Sequence, residues 1–233
     1  MLEPNNIYLG DCYELIKQIP DSMKICLVTD PPFNVGYHYD GYKDNIDEEK
    51  YYQWLSDIVL SHDSPFVVIH YPESIYKLAL KIGRVPEKVA TWCYNSNTSK
   101  QHRDIAYFGL KPDFTKVRQP YKNPTDKRVM ERIKNGSGGG RLYDWWEINQ
   151  VKNVSEEKYD HPCIMPLEVM KRVVGIIPDD YVIVDTFMGS GTTLKACQEL
   201  NRKYIGMEIN PKYYNIAKDR LNNINAKGEV SLF

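Results

Sequence analysis

Several features are scarce or missing in this chain of 233 residues. No apolar run approaches the ~20 residues that a membrane-spanning helix needs, which excludes such a helix from the expectations. The start, MLEPNNIYLGD, has no basic segment leading into an apolar one, so no secretory leader is expected. The five cysteines (Cys12, Cys26, Cys93, Cys163 and Cys197) lie far apart and form no C-x-x-C pair. That spacing excludes a clustered zinc site and fits reduced, mostly buried thiols in a cytoplasmic protein. Net charge is almost absent as well, with 30 Lys and Arg against 31 Asp and Glu. Domains that bind nucleic acid are often basic, so the balance argues against such a partner unless the charges are unevenly distributed.

Hydrophobic residues make up 42% of the chain and charged ones 26%, the composition of one globular domain with a modest insertion. Continuous apolar, β-rich runs at 25–29 (ICLVT), 65–70 and 181–185 read as strands buried on both faces. Shorter strands are expected at 7–11, 88–94, 105–110 and 203–208. Helical spacing marks 12–19, 47–60, 73–82, 166–177, 186–201 and 211–224. Alternation of buried strands with helices implies an α/β fold whose mainly parallel sheet is covered on both faces. Residues 34–46 read as a mobile loop. From 111 to 160 the periodicity breaks down around Pro112, Pro120, Pro124 and the run Gly136–Gly140, which suggests an inserted specificity region within a single domain of residues 1–233.

Two turns carry chemistry. The first, Asp185 to Thr193 (DTFMGSGTT), lies between a buried strand and a helix, where glycines permit close approach of a ligand to the backbone. Glu208 ends the next strand and is placed to accept hydrogen bonds from a ribose diol. Leu194 stands where a dinucleotide fingerprint needs its third glycine, and no phosphate loop is present. A nucleoside therefore fits better than a pyrophosphate, and an oxidoreductase is disfavoured. The second turn, Asp30-Pro31-Pro32-Phe33, ends another buried strand, where open α/β sheets place ligands. An exocyclic amine is a poor nucleophile because its lone pair is delocalised into the ring. Two acceptors on its N–H bonds, the Asp30 carboxylate and the Pro31 carbonyl, would favour a pyramidal, reactive nitrogen in a preorganised frame. Phe33 could stack on a base that has left the duplex.

With these two motifs the sequence resembles the S-adenosylmethionine-dependent amino-methyltransferases of DNA. Asp30-Pro31-Pro32-Phe33 matches their catalytic motif, and Phe187-Met188-Gly189-Ser190-Gly191-Thr192-Thr193 matches their cofactor loop. The motif order, catalytic first and cofactor last, is that of the circularly permuted β group, with target recognition between them. Asp at the first catalytic position usually goes with N6 of adenine and Ser with N4 of cytosine. The resemblance covers about 1–110 and 161–222. It implies a Rossmann-like methyltransferase fold of seven strands, one reversed, with strand 7–11 beside 203–208 and strand 25–29 beside 181–185. Asp11, Asp30, Asp185 and Glu208 would then meet at one sheet edge. The cofactor set implied is Asp11, Asp30, His161, Asp185, Phe187, Gly189, Ser190, Gly191, Thr192, Thr193, Glu208 and Asn210. Two positions depart from the pattern: Met165 stands where Lys is frequent, and Thr186 where Pro is usual.

The expected reaction is direct methyl transfer to N6 of a flipped adenine in double-stranded DNA, with no metal. The implied partners extend to a homodimer and a separately acting restriction endonuclease. Residues 122–141 carry an excess of four positive charges, so Lys127, Arg128, Arg132, Lys134 and Arg141 are candidate phosphate contacts. Lys100 and Arg103 add a second basic segment. Tyr37, with Tyr39 and Tyr42, could meet the flipped base or the gap that it leaves. Three alternatives stay open: N4-cytosine methylation, methylation of RNA adenine or a protein amide, and a catalytically silent nucleotide-binding module.

Overall fold

The computed structural model describes residues 1–36, 38–39, 42–151 and 164–227. Its centre is an eight-stranded sheet. Four neighbouring strands form one half: β1 (Asn6–Leu9), β12 (Tyr204–Glu208), β11 (Val182–Asp185) and β2 (Ile25–Thr29). The order continues through β5 (Phe66–His70), β7 (His102–Phe108), β6 (Lys88–Cys93) and β10 (Trp145–Glu147). Every pairing is parallel except those of β7, which runs antiparallel to both β5 and β6. The expected neighbours are found. Asn6 to Leu9 pair with Ile205 to Glu208, and Val182 to Asp185 with Ile25 to Val28.

The burial of β2 and β5 explains their unbroken apolar text, since all five residues of each are buried. The odd and even residues of these strands face two different cores. On one face Cys26, Val28, Val67 and Ile69 pack with α5 (Leu167–Gly175) and α6 (Thr192–Glu199). On the other, Ile25, Leu27, Phe66 and Val68 pack with α1 (Cys12–Ile16), α2 (Glu48–Val59) and α3 (Pro72–Ile82). Each fully buried side chain of this size contributes ~1.5–3 kcal/mol before the entropy of ordering is subtracted. The helix α2 begins where its sequence says it should, with the Asp47 side chain accepting from the Lys50 amide. No described helix is long and apolar enough to cross a membrane.

One expectation needs correction. The sheet has eight strands instead of seven, because Trp145–Glu147 pairs with β6 at the sheet edge. Within 111–151 several residues also join the core. Phe114, Leu142 and Trp146 are buried in the core, and the Trp92 indole donates to the Ile148 carbonyl at 2.7 Å. What projects is smaller: a two-stranded hairpin of β8 (Arg118–Gln119) and β9 (Gly140–Arg141), with α4 (Lys127–Lys134) between them, a helix with no buried residue. The two ends of the segment 34–46 are tied together. The Asp44 carboxylate accepts from the Asn34 and Val35 amides, and the Asn34 side chain bonds both to and from the Ile46 backbone. Those bonds close its base, and β3 (His38–Tyr39) pairs with β4 (Tyr42–Lys43) above it.

Candidate active site

A cavity of about 520 Å³ opens at the edge where β1, β12, β11 and β2 end. Asp11, Asp30, Asp185 and Glu208 all line it, as the strand-end positions imply. The catalytic-motif residues Pro31, Pro32 and Phe33 form one wall. Phe187, Gly189, Ser190, Thr192, Thr193 and Asn210 form another. Gly191 is the loop residue that does not face the cavity. It starts α6 at φ +79°, and a Cβ there would come within 3.1 Å of Ala217 in α7 (Pro211–Lys227). Glycine is needed because the turn is left-handed and the next helix lies directly against it. His161 and Tyr37 lie outside the described residues, as do the side chains of Tyr39 and Tyr42.

The acids are held by backbone amides. Glu208 accepts from Gly189 N–H through Oε2 and from Asn210 N–H through Oε1, both at 2.9 Å. This ties the glycine turn to the strand end and fixes the carboxylate toward the cavity. Asp185 accepts from Phe187 N–H at 3.1 Å, and Asp11 caps α1 by accepting from Tyr13 N–H at 2.9 Å. From behind, Arg220 of α7 braces the turn, donating to the Ser190 carbonyl and to the Thr192 hydroxyl. Thr186, the position that departs from the family pattern, bonds its hydroxyl to Thr29 on the neighbouring strand at 3.0 Å. Both are buried, so the threonine stitches β11 to β2 beneath the site.

Burial pushes the Asp185 carboxyl up to about 7, against the hydrogen bonds from Thr193 and Phe187 and with help from the nearby Asp30 and Glu208 charges. It pushes Asp30 up to about 6, opposed by Arg103, and raises Glu208 as well. Strong perturbation by desolvation in a cleft marks a functional site. Asp30 Oδ1 is buried with no hydrogen-bond partner among the described residues, a state that calls for a physical explanation.

A polar relay supports the catalytic turn, and sequence reasoning missed it. The Tyr71 amide lies 2.8 Å from His70 Nδ1, so that nitrogen accepts and Nε2 carries the proton. The Nε2–H then donates to the Tyr51 hydroxyl at 2.8 Å, and the hydroxyl donates to the Pro32 carbonyl at 2.7 Å. Burial lowers the His70 pKa to about 3, helped by the Arg103 and Lys100 charges, so the ring stays neutral. His70 also lies 4.4 Å from the Phe33 ring. The available signal was a histidine closing an apolar strand, where a buried polar group needs a partner.

Arg103 is not the surface phosphate contact expected from its basic neighbours. It is buried and lines the cavity between Asp30, Phe33 and Met165. Its strand runs backward, so its first residues lie at the edge where the parallel strands end. Lys100 remains exposed, 3.9 Å from the Tyr71 ring centre. Lys127, Arg128, Arg132 and Lys134 are exposed on α4, and Arg141 on β9. No group of three or more metal-ligating side chains occurs among the described residues.

A family model described as DNA methylase matches residues 26–219. The Type II methyltransferase M.HpaI of Haemophilus parainfluenzae is 27% identical over 91% of this chain and 72% of its own length. The DNA adenine methyltransferase YhdJ of Escherichia coli K12 is 26% identical over 94% of this chain and 83% of its own. The solved complex of M1.HpyAVI with SAM superposes with a TM-score of 0.59 at 21% identity, covering 92% of this chain and 98% of that one.

Proposed function

Since the chain belongs to the DNA methylase family, and is by that membership an S-adenosylmethionine-dependent DNA methyltransferase, we propose that it methylates N6 of an adenine flipped out of double-stranded DNA. The observation that carries this reading is the Asp30 carboxylate, with an unpartnered buried oxygen facing the same cavity as Glu208. The likeness to a DNA adenine methyltransferase over most of both chains supports the choice of base.

The residues present suit the cofactor. Glu208 is oriented to receive the ribose hydroxyls, and the acidic lining favours the two cationic groups of the methionine end. Bound there, S-adenosylmethionine would supply a sulfonium methyl group whose carbon the amine nitrogen attacks in line, the C–S bond breaking to release the thioether and the methylated amine losing one proton. The protein's part is positioning and electrostatics. The Asp30 carboxylate accepts one N–H of the target amine and the Pro31 carbonyl accepts the other, drawing the lone pair out of the ring. Tyr51 occupies the Pro32 carbonyl and so fixes the turn. Phe33 offers its ring to the extruded base, offsetting part of the few kcal/mol that flipping costs. Lys100, Lys127, Arg128, Arg132, Lys134 and Arg141 contact phosphates and set the register of the duplex.

The test is transfer of labelled methyl groups to DNA, RNA and protein, followed by nucleoside chromatography of the DNA. N6-methyladenine in DNA is expected. N4-methylcytosine, or label confined to RNA or protein, would overturn the assignment. Asp30→Ala should abolish transfer while leaving cofactor binding intact.

A further inference from the structure

Four acids line the cavity, and Arg103 is the one Lys or Arg side chain that lines it among the described residues. It projects from the second position of β7, paired in register with Trp92 of β6. Its guanidinium carbon lies 4.4 Å from the Phe33 ring centre, 5.3 Å from that of Trp92 and 5.9 Å from that of Tyr94. Nη1 donates toward the Met165 sulfur at 3.4 Å. The planar cation is thus seated among aromatic faces, an arrangement that suits arginine far better than lysine.

The spacing to Asp30 is informative. Nη1 stands 3.9 Å from Oδ1, close enough for strong attraction in a partly desolvated site but too far for a hydrogen bond. A direct bond would consume the lone pair that an amine substrate must use. We propose that Arg103 is a positioning residue for methyl transfer: it is the stand-off counter-cation of Asp30, neutralising the carboxylate while leaving its acceptor oxygen free for the target amine. The inference rests on the reading of Asp30 as that acceptor.

Other titratable groups line the same cavity: Asp185 from β11, Glu208 from β12 and Asp11 from the end of β1. Behind the Phe33 ring stands neutral His70 from β5, bonded to Tyr51 of α2 and within reach of the Lys100 charge. Burial disfavours an ionised Asp30, and Arg103 opposes it. Without it, Asp30 should hold its proton to higher pH and accept from the amine only in more alkaline solution.

The primary measurement is the carboxyl titration of Asp30 by ¹³C NMR in cofactor-free protein, wild type against Arg103→Met. An upward shift of about one unit or more is expected. The acid limb of kcat against pH, taken at saturating cofactor and DNA, should move up in parallel. Arg103→Lys should keep the titration nearer to wild type while lowering kcat through lost stacking on Phe33. Should Arg103→Met fail to fold, Arg103→Gln keeps a planar head over Phe33 and serves for the same two readings. An Asp30 titration that does not move in the neutral variant overturns the proposal. So does a loss confined to DNA affinity and its salt slope, which would return Arg103 to the phosphates. The parent reading fails separately, if Asp30→Ala still methylates DNA.

Discussion

Asp185 is held in a place that its charge opposes, and replacing it with asparagine should make the cofactor-free protein more stable in a pH-dependent way. The side chain is buried, and burial followed by the neighbouring Asp30 and Glu208 charges raises its pKa to about 7. In an unfolded chain the same group titrates near 3.9. A native pKa above the unfolded one means that its favourable contribution is complete below about pH 4 and is lost as pH rises through 7. The penalty from ionising Asp185 then amounts to roughly 1–2 kcal/mol at pH 5 and about 4 kcal/mol at pH 8. Asparagine keeps an oxygen for the Phe187 amide, so the hydrogen bond largely cancels from the comparison. The stabilisation by Asp185→Asn should therefore be roughly 2–3 kcal/mol larger at pH 8 than at pH 5. At ~2–4 °C per kcal/mol for a chain of this size, the gain in Tm at pH 8 should exceed that at pH 5 by about 5–10 °C. Scanning calorimetry of the cofactor-free proteins at both pH values checks this. A gain that is equal at the two pH values, or larger at pH 5, would refute the reasoning.

Three further outcomes follow from the same geometry. Tyr51→Phe removes the hydroxyl between His70 and the Pro32 carbonyl, and should lower kcat severalfold with little change in KM. The two buried groups left behind should cost about 1–3 kcal/mol in thermal melts. Glu208→Gln replaces a charge-assisted acceptor of two amides with a neutral one, and should weaken cofactor binding roughly tenfold or more by calorimetric titration without altering DNA affinity. Replacing Lys127, Arg128, Arg132 and Lys134 together by alanine should weaken binding to all DNA sequences alike. It should also reduce the slope of log affinity against log salt by up to about 3–4, measured by fluorescence anisotropy.

Much of the architecture was legible because parallel strands buried on both faces leave continuous apolar text, and 25–29 and 66–70 are such strands. The acids at strand ends were legible for a related reason: a carboxylate closing an apolar run must find a ligand, a cap or solvent. What escaped was set by long-range pairing. The strand β10 is three residues long with only its middle one buried, too short for any period to show. The relay joins residues 19 positions apart, Tyr51 on a helix and His70 on a strand, and neither has a local pattern. Arg103 sits in polar text, SKQHRD, that reads as solvated surface. Its burial depends on β7 running against its neighbours, and strand direction leaves no mark in composition.

That reversal also bears on why the site can exist. Parallel strands deliver their last residues to one edge, and the four strands at the cavity end in, or run within two residues into, an acid. A sheet of parallel strands alone would gather carboxylates with nothing to balance them, and burial has already driven Asp30 and Asp185 toward neutrality. The antiparallel strand brings the beginning of a segment to the same edge, so its sequence is under no constraint to end in an acid. Through it a cation reaches the cavity from the sheet itself, seated on Phe33 and 3.9 Å from Asp30. A surface loop could supply the same charge, but without the aromatic seat that fixes its distance. An acceptor that must stay ionised yet uncommitted needs that distance held, because 1 Å less would turn the counter-cation into a competitor for the lone pair.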